Sequence, residues 1–203
     1  METQQPANIA DLARRALAAL GQDQIALAEE LLLRLVAIDP DEPGHAAHLA
    51  TLYQRLGKHG LAIAFAQRAA ALDPEDARFA RQLGSTLEAG GEPDLAHQAY
   101  LAAVAGNPGH PQPWLALARL DREGGRLETA ERYARRAVET APRATDGYGE
   151  LARVLLRAGR PTQALAALAI GLRLAPDDPD LRALREAASA QHPEAGAPTP
   201  GPP

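Results

Sequence analysis

The sequence contains no cysteine. That removes disulfides, thiol nucleophiles and thiolate-bound metals together, and it leaves the redox compartment open. Aromatic residues make up only 3% of the 203 residues against 46% hydrophobic ones, so any interior must be filled with Ala, Leu and Val. Such an interior suits helices that approach closely through small side chains. Lys58 is the only lysine and the other basic residues are arginines, a bias expected of a GC-rich, bacterial genome. No stretch approaches the roughly 18 uncharged apolar residues that a membrane span requires. The N-terminal METQQPANIADLARRALAAL has no basic segment leading into an apolar one and is interrupted by Asp11, Arg14 and Arg15, so it does not read as a secretory signal. A cytoplasmic location without membrane contact is expected. The formal net charge of −5 argues against a general binder of nucleic acid, which normally shows a basic balance.

What the chain does have is punctuation. In AAALDPEDA, residues 69–77, a proline closes an alanine-rich run, and Pro40, Pro74, Pro108, Pro142 and Pro176 recur at intervals of 34 residues. Between them lie four units, 43–76, 77–110, 111–144 and 145–178, with a fifth, atypical one at about 7–42. Each of the four carries a leucine (Leu49, Leu83, Leu117, Leu151) followed by a small residue (Ala50, Gly84, Ala118, Ala152). A glycine comes next (Gly57, Gly91, Gly125, Gly159), then an alanine (Ala62, Ala96, Ala130, Ala164), and a last small residue (Ala69, Ala103, Ala137, Gly171). Glycine supplies the left-handed conformation that ends a first helix, and the proline ends the second by pushing the residue before it out of the α region. Pro93 and Pro161 suit the first position of a second helix, where the missing N–H costs nothing. Each unit is therefore predicted to be a helical hairpin whose small residues are contact points. In the first unit Gly21 lies two residues too early against Ala28, which predicts a second helix, about 24–38, longer at its start, or a wider turn. One hairpin cannot bury its apolar face alone, so the period predicts stacked copies sharing a continuous core.

This pattern resembles the tetratricopeptide repeat family, whose unit has 34 residues with an aromatic or apolar residue at position four, Leu-Gly/Ala at seven and eight, Tyr at eleven, Ala at twenty and twenty-seven, and Pro at thirty-two. Trp114, Tyr148, Tyr53 and the pair Leu83-Gly84 fall in those places, and the resemblance covers about residues 7–178. It implies an all-α, right-handed superhelical solenoid of about five units. PDLRALREAASAQ, residues 179–191, looks like the capping helix of such arrays, and the Pro/Gly-rich 192–203 is expected to be a disordered tail.

Chemistry finds little purchase in these residues. His45 and His48 share a helix face, but neither they nor His59, His97, His110 and His192 fall in an HExxH motif or bring a third ligand at suitable spacing, so a polar helix surface is expected rather than a metal. Carboxylate pairs such as Asp177-Asp178 lie at helix ends, where they cap. Gly90-Gly91 and Gly124-Gly125 do not follow a strand and read as turns. Ser85 and Ser189 lie within helices and lack the context of a nucleophile. Asp121 stands where Tyr53, Leu87 and Leu155 are apolar; the DREGG sequence around it suggests an exposed helix end, and the alternative is a polar break in the stack, either paired with an arginine or marking a flexible joint.

The resemblance places ligand contacts on the first helices. Transferred residue by residue, they are His48, Thr51, Gln54 and Arg55; Arg78, Arg81, Gln82, Ser85 and Glu88; Gln112, Leu115, Arg119, Arg122 and Glu123; Asp146, Glu150, Arg153 and Arg157. Arginine suits bidentate recognition of carboxylates, so Arg78, Arg81, Gln82, Arg119, Arg122, Arg153 and Arg157 are the expected contacts of an acidic peptide, unless the arginines only pair with neighbouring acids. The family's clamp for carboxylate termini is not expected, because Ala116, Asp146 and Glu150 occupy its partner positions. The expected function is a non-catalytic scaffold that binds a protein or peptide without a cofactor. The alternative is a self-associating protein forming homo-oligomers. An accessory part of an enzyme is the weakest reading, since the chain is expected to end just after its capping helix.

Overall fold

The structure, a computed structural model, describes residues 6–191, and their regular elements are all helices. In chain order these are α1 (Pro6–Gly21), α2 (Ile25–Ile38), α3 (Pro43–Arg55), α4 (His59–Leu72), α5 (Ala77–Ala89), α6 (Pro93–Gly106), α7 (Pro111–Glu123), α8 (Leu127–Thr140), α9 (Thr145–Arg157), α10 (Pro161–Leu174) and α11 (Pro179–Ala190). The chain divides into two compact units between Gly106 and Asn107. The tail expected over 192–203 lies outside the described residues.

In the first unit, the hairpins α1/α2, α3/α4 and α5/α6 follow one another, with α2 packed on α3, α4 on α5 and α3 on α5. Its largest core joins Leu12, Ala16, Ala28, Leu32, Leu35, Leu49, Leu52 and Tyr53. In the second unit, α7/α8 and α9/α10 are hairpins, and α11 closes against α9 and α10 through buried Leu181 and Ala188. The small residues are where close approach demands them: Ala62, Ala96, Ala130 and Ala164 are fully buried, and a Cβ placed on Gly84 would stand 2.7 Å from the Tyr100 ring.

The prolines act as expected. Residues before them, Asp39, Asp73, Ala141 and Ala175, cap the second helices with φ near the extended region, −136° to −137°. The glycines act as expected too: Gly57, Gly91, Gly125 and Gly159 have φ of 67°, 81°, 78° and 70°. Beyond each of them an amide returns to the helix it has left, as in Lys58 N–H to Tyr53 O (2.9 Å) and Arg160 N–H to Leu155 O (2.9 Å).

The first hairpin departs from its sequence reading. Its second helix is not longer: α2 has the 14 residues of α4, α6, α8 and α10. Nor is the turn wider, because the Gln24 N–H reaches Ala19 O at 2.9 Å just as its counterparts do. Gly21 is not the turn residue. Asp23 is, with φ 58°, at the place that glycine holds in the other hairpins. Aspartate tolerates this region better than most residues, and Arg55 Nη2 donates to its Oδ1 at 2.7 Å. The expected outcome is that Asp23→Val loses about 1–2 kcal/mol in urea denaturation, the cost of a branched left-handed residue. Asp23→Gly should change little, because relief of strain is offset by a looser unfolded chain, each on the order of 1 kcal/mol.

Candidate functional site

In the first unit, the facing surfaces of α3 and α5 form a groove of about 540 Å³, lined by Glu42, Gly44, Ala47, His48, Thr51 and Gln54 on one side and Arg78, Phe79, Arg81, Gln82 and Ser85 on the other. The helical hairpin repeat explains the composition. Each first helix turns its apolar stripe, such as Leu49, Leu52 and Tyr53, toward its own second helix and its neighbours, which leaves the polar residues between them on the opposite face. Seven of the residues assigned by position, His48, Thr51, Gln54, Arg78, Arg81, Gln82 and Ser85, are thus brought together. Arg55 is turned away to Asp23, and Glu88 accepts from the Tyr100 hydroxyl at 3.2 Å.

The amides of the groove are held. Gln82 Nε2 donates to Ala47 O (2.7 Å) and to Thr51 Oγ1 (2.8 Å), and Thr51 Oγ1 donates to Ala47 O (3.1 Å). Arg78 folds back on Asp76, the residue capping α5: its Nε lies 2.9 Å from Oδ2, and its backbone N–H donates to Oδ1 at 2.9 Å. The Arg78 guanidinium holds the Asp76 carboxyl below the usual carboxylate range. Arg81 differs: it is half-buried and has no ion pair among the described residues. Burial first, and the neighbouring His45 second, lower the pKa of His48, which therefore stays neutral at neutral pH. At the back of α3, the Tyr53 hydroxyl donates to Glu29 Oε1 at 2.8 Å, and burial with that bond raises its pKa to about 12.

In the second unit, two of the expected arginines, Arg122 and Arg153, meet acids. Glu150 on α9 is only 6% exposed. Arg122 Nε lies 2.7 Å from its Oε1 and Arg153 Nη1 3.4 Å from its Oε2, while Arg153 also pairs with Asp180 of α11. A carboxylate so enclosed is compensated from two sides, the condition on which a charge can be buried. Arg119 is half-buried and engaged as well. Arg157 is exposed and has no ion pair among the described residues.

Asp121 is not at an exposed helix end. It is 2% exposed and holds the following turn: its backbone carbonyl accepts from the Arg126 N–H at 2.8 Å, its carboxylate from Arg126 Nε at 2.8 Å, and Thr129 Oγ1 donates to the other carboxylate oxygen. The polar break paired with an arginine is the arrangement present. The sequence carried a signal for it, since the arginine lies five residues on, in the turn that every hairpin closes at this point.

Three family models describing the tetratricopeptide repeat match residues 47–76, 77–120 and 121–188. No curated protein matches the chain in sequence. Among solved structures, the MamA protein is similar at 17% identity with a TM-score of 0.75, covering 94% of this chain and 98% of that one. A tetratricopeptide repeat protein from Parabacteroides merdae gives 16% and 0.80, covering 92% and 74%. YrrB, described as a TPR protein with an unusual peptide-binding site, gives 16% and 0.73, covering 84% and 88%. At these identities the likeness concerns the fold. No described helix is long and apolar enough to cross a membrane.

Proposed function

Because the chain belongs to the tetratricopeptide repeat family, we propose that it is a non-catalytic scaffold that holds an extended peptide segment of a partner protein in the α3/α5 groove, with an acidic side chain of the peptide on Arg81. One observation carries this reading. Arg81 is the groove arginine of the first unit that no carboxylate of the described chain engages, whereas Arg78 is satisfied by its own helix cap. A half-buried guanidinium in a groove of held amides offers a peptide carboxylate a charge-assisted hydrogen bond without first breaking an internal one. Gln82 and Thr51, fixed by their mutual bond, and neutral His48 present polar edges to the peptide backbone. That YrrB, a protein of similar fold, has a peptide-binding site supports this use of the fold.

Selection of random linear peptides on the full chain tests the reading. Enriched peptides should share an Asp or Glu and bind Arg81→Gln about tenfold more weakly, the loss of one charge-assisted bond. Arg153→Gln, whose parent residue is engaged by Glu150 and Asp180, should leave their affinity unchanged. Peptides that bind Arg81→Gln as well as the wild type would sink it.

A further inference from the structure

A second surface, in the other unit and between a first helix and its own second helix, has a composition that none of the sister hairpins shares. Trp114, in the first turn of α7, and Tyr133, in the middle of α8, stand with ring centroids 5.8 Å apart and planes tilted by 32°. Both are half-buried. With Arg132, Arg135, Arg136 and Glu139 they line an open cleft of about 480 Å³. The indole is pinned, because Trp114 Nε1 donates to Pro108 O at 2.9 Å.

Arg132 and Arg135 are specific to this hairpin, while the place of Arg136 also holds an arginine in two others. At the same places in the repeat, α2 has Glu30, Leu33 and Arg34; α4 has Ala64, Gln67 and Arg68; α6 has Gln98, Leu101 and Ala102; α10 has Ala166, Ala169 and Ile170. A merely solvated face needs no such concentration beside a tryptophan. Two of the arginines already show what they take: Arg135 pairs with Glu131, and Arg136 Nη1 lies 2.9 Å from Glu139 Oε2. Arg132 is exposed and has no ion pair among the described residues. The cleft is thus an apolar corner rimmed by carboxylate-binding groups with one positive charge left over.

We propose that the Trp114–Tyr133 cleft is a docking site for a second, acidic peptide segment of a partner protein, which places an aromatic or aliphatic side chain in the corner of the two rings and a flanking carboxylate on Arg132. Charge complementarity selects the acid, and the ring pair selects the anchor, since buried aromatic and arginine groups carry most of the energy of such interfaces. The tilted rings form a corner rather than the parallel platform on which nucleotide bases stack.

The chain has a single tryptophan, so Trp114 emission reports this cleft alone. The full-length protein is titrated with a short peptide bearing one phenylalanine among glutamates, with the same peptide in which glutamine replaces glutamate, and with a single-stranded oligothymidylate. A saturable change in emission is expected for the acidic peptide only, weakening as salt is raised. In Arg132→Glu, which removes no ion pair of the described chain, the affinity should fall about tenfold, as for reversal of a rim charge, and Arg81→Gln should leave it unchanged, which separates this cleft from the α3/α5 groove. Equal response to the acidic and the glutamine peptide, a response to the oligonucleotide instead, a change that follows protein concentration alone, or no response to the acidic peptide overturns the proposal.

Discussion

Arg126→Ala is expected to destabilise the second unit by about 2–3 kcal/mol, and Asp121→Leu at the other end of the same ion pair by less than about 1 kcal/mol. The asymmetry follows from burial. The Arg126 side chain is half exposed while that of Asp121 is 2% exposed, so deleting the arginine leaves a carboxylate inside the protein with its main compensation gone, whereas deleting the carboxylate releases a guanidinium that water takes up. Removing one partner of a buried pair is costly because the survivor is uncompensated, and replacing the buried group by an apolar one of similar shape is often neutral. Leucine fits the place by precedent within the chain: Leu87 and Leu155 fill it in neighbouring hairpins, both buried. The double variant Asp121→Leu with Arg126→Ala should recover most of the loss, giving a coupling energy on the order of 2 kcal/mol. Urea denaturation followed by Trp114 emission reads this out locally, which matters in a repeat protein whose parts need not unfold together. If Arg126→Ala proves as mild as Asp121→Leu, the pair does not hold the turn.

The same residue marks the limit of what the sequence disclosed. Period, helix boundaries and contact points were legible because each rests on a residue with a single mechanical use. Proline cannot continue a helix, glycine takes the left-handed turn, and alanine lets two backbones meet. Asp23 was missed because its φ of 58° is one that aspartate shares with glycine, so the rule that looked for glycine stopped at Gly21 instead. Asp121 was misread because hydropathy speaks of a residue alone, while its burial depends on a partner, Arg126, that the turn brings back to it. The candidate groove divides in the same way. Repeat position located His48, Thr51, Gln54, Arg81 and Gln82 on one surface, since position fixes the face of a helix. It did not reveal that Glu150 is enclosed between Arg122 and Arg153, which depends on how α7 and α9 lie side by side. The Trp114–Tyr133 cleft went unmarked because it joins a first helix to its own second helix, outside the face on which the family's ligand positions lie.

Two glycines of α9 should respond oppositely to the same small change. A Cβ on Gly147 would lie 2.9 Å from Val138 Cγ2, 3.2 Å from the Val138 nitrogen and 3.3 Å from its Cα. Two of those atoms are backbone in the last turn of α8 and cannot give way by rotation. A Cβ on Gly149 would meet only side-chain ends, Leu181 Cδ2 at 3.3 Å and Arg153 Nη1 at 3.6 Å. Alanine in place of glycine within a helix gains about 1 kcal/mol, and overpacking costs about 1–3 kcal/mol. For Gly149→Ala the gain prevails, and the second unit should become more stable by up to about 1 kcal/mol. For Gly147→Ala the steric cost wins by about 1 kcal/mol, and Gly147→Leu should lose about 3 kcal/mol, measured by guanidinium denaturation with circular dichroism. The consequence reaches the outer cleft, because the element pushed away is α8, which carries Tyr133 and Arg132. In Gly147→Ala the native Trp114 emission should shift even without ligand, whereas in Gly149→Ala it should not. Equal stability and unchanged emission in both variants would mean that α8 and α9 are not in backbone contact at Gly147, and that the position of the arginine-bearing face is set by something other than that contact.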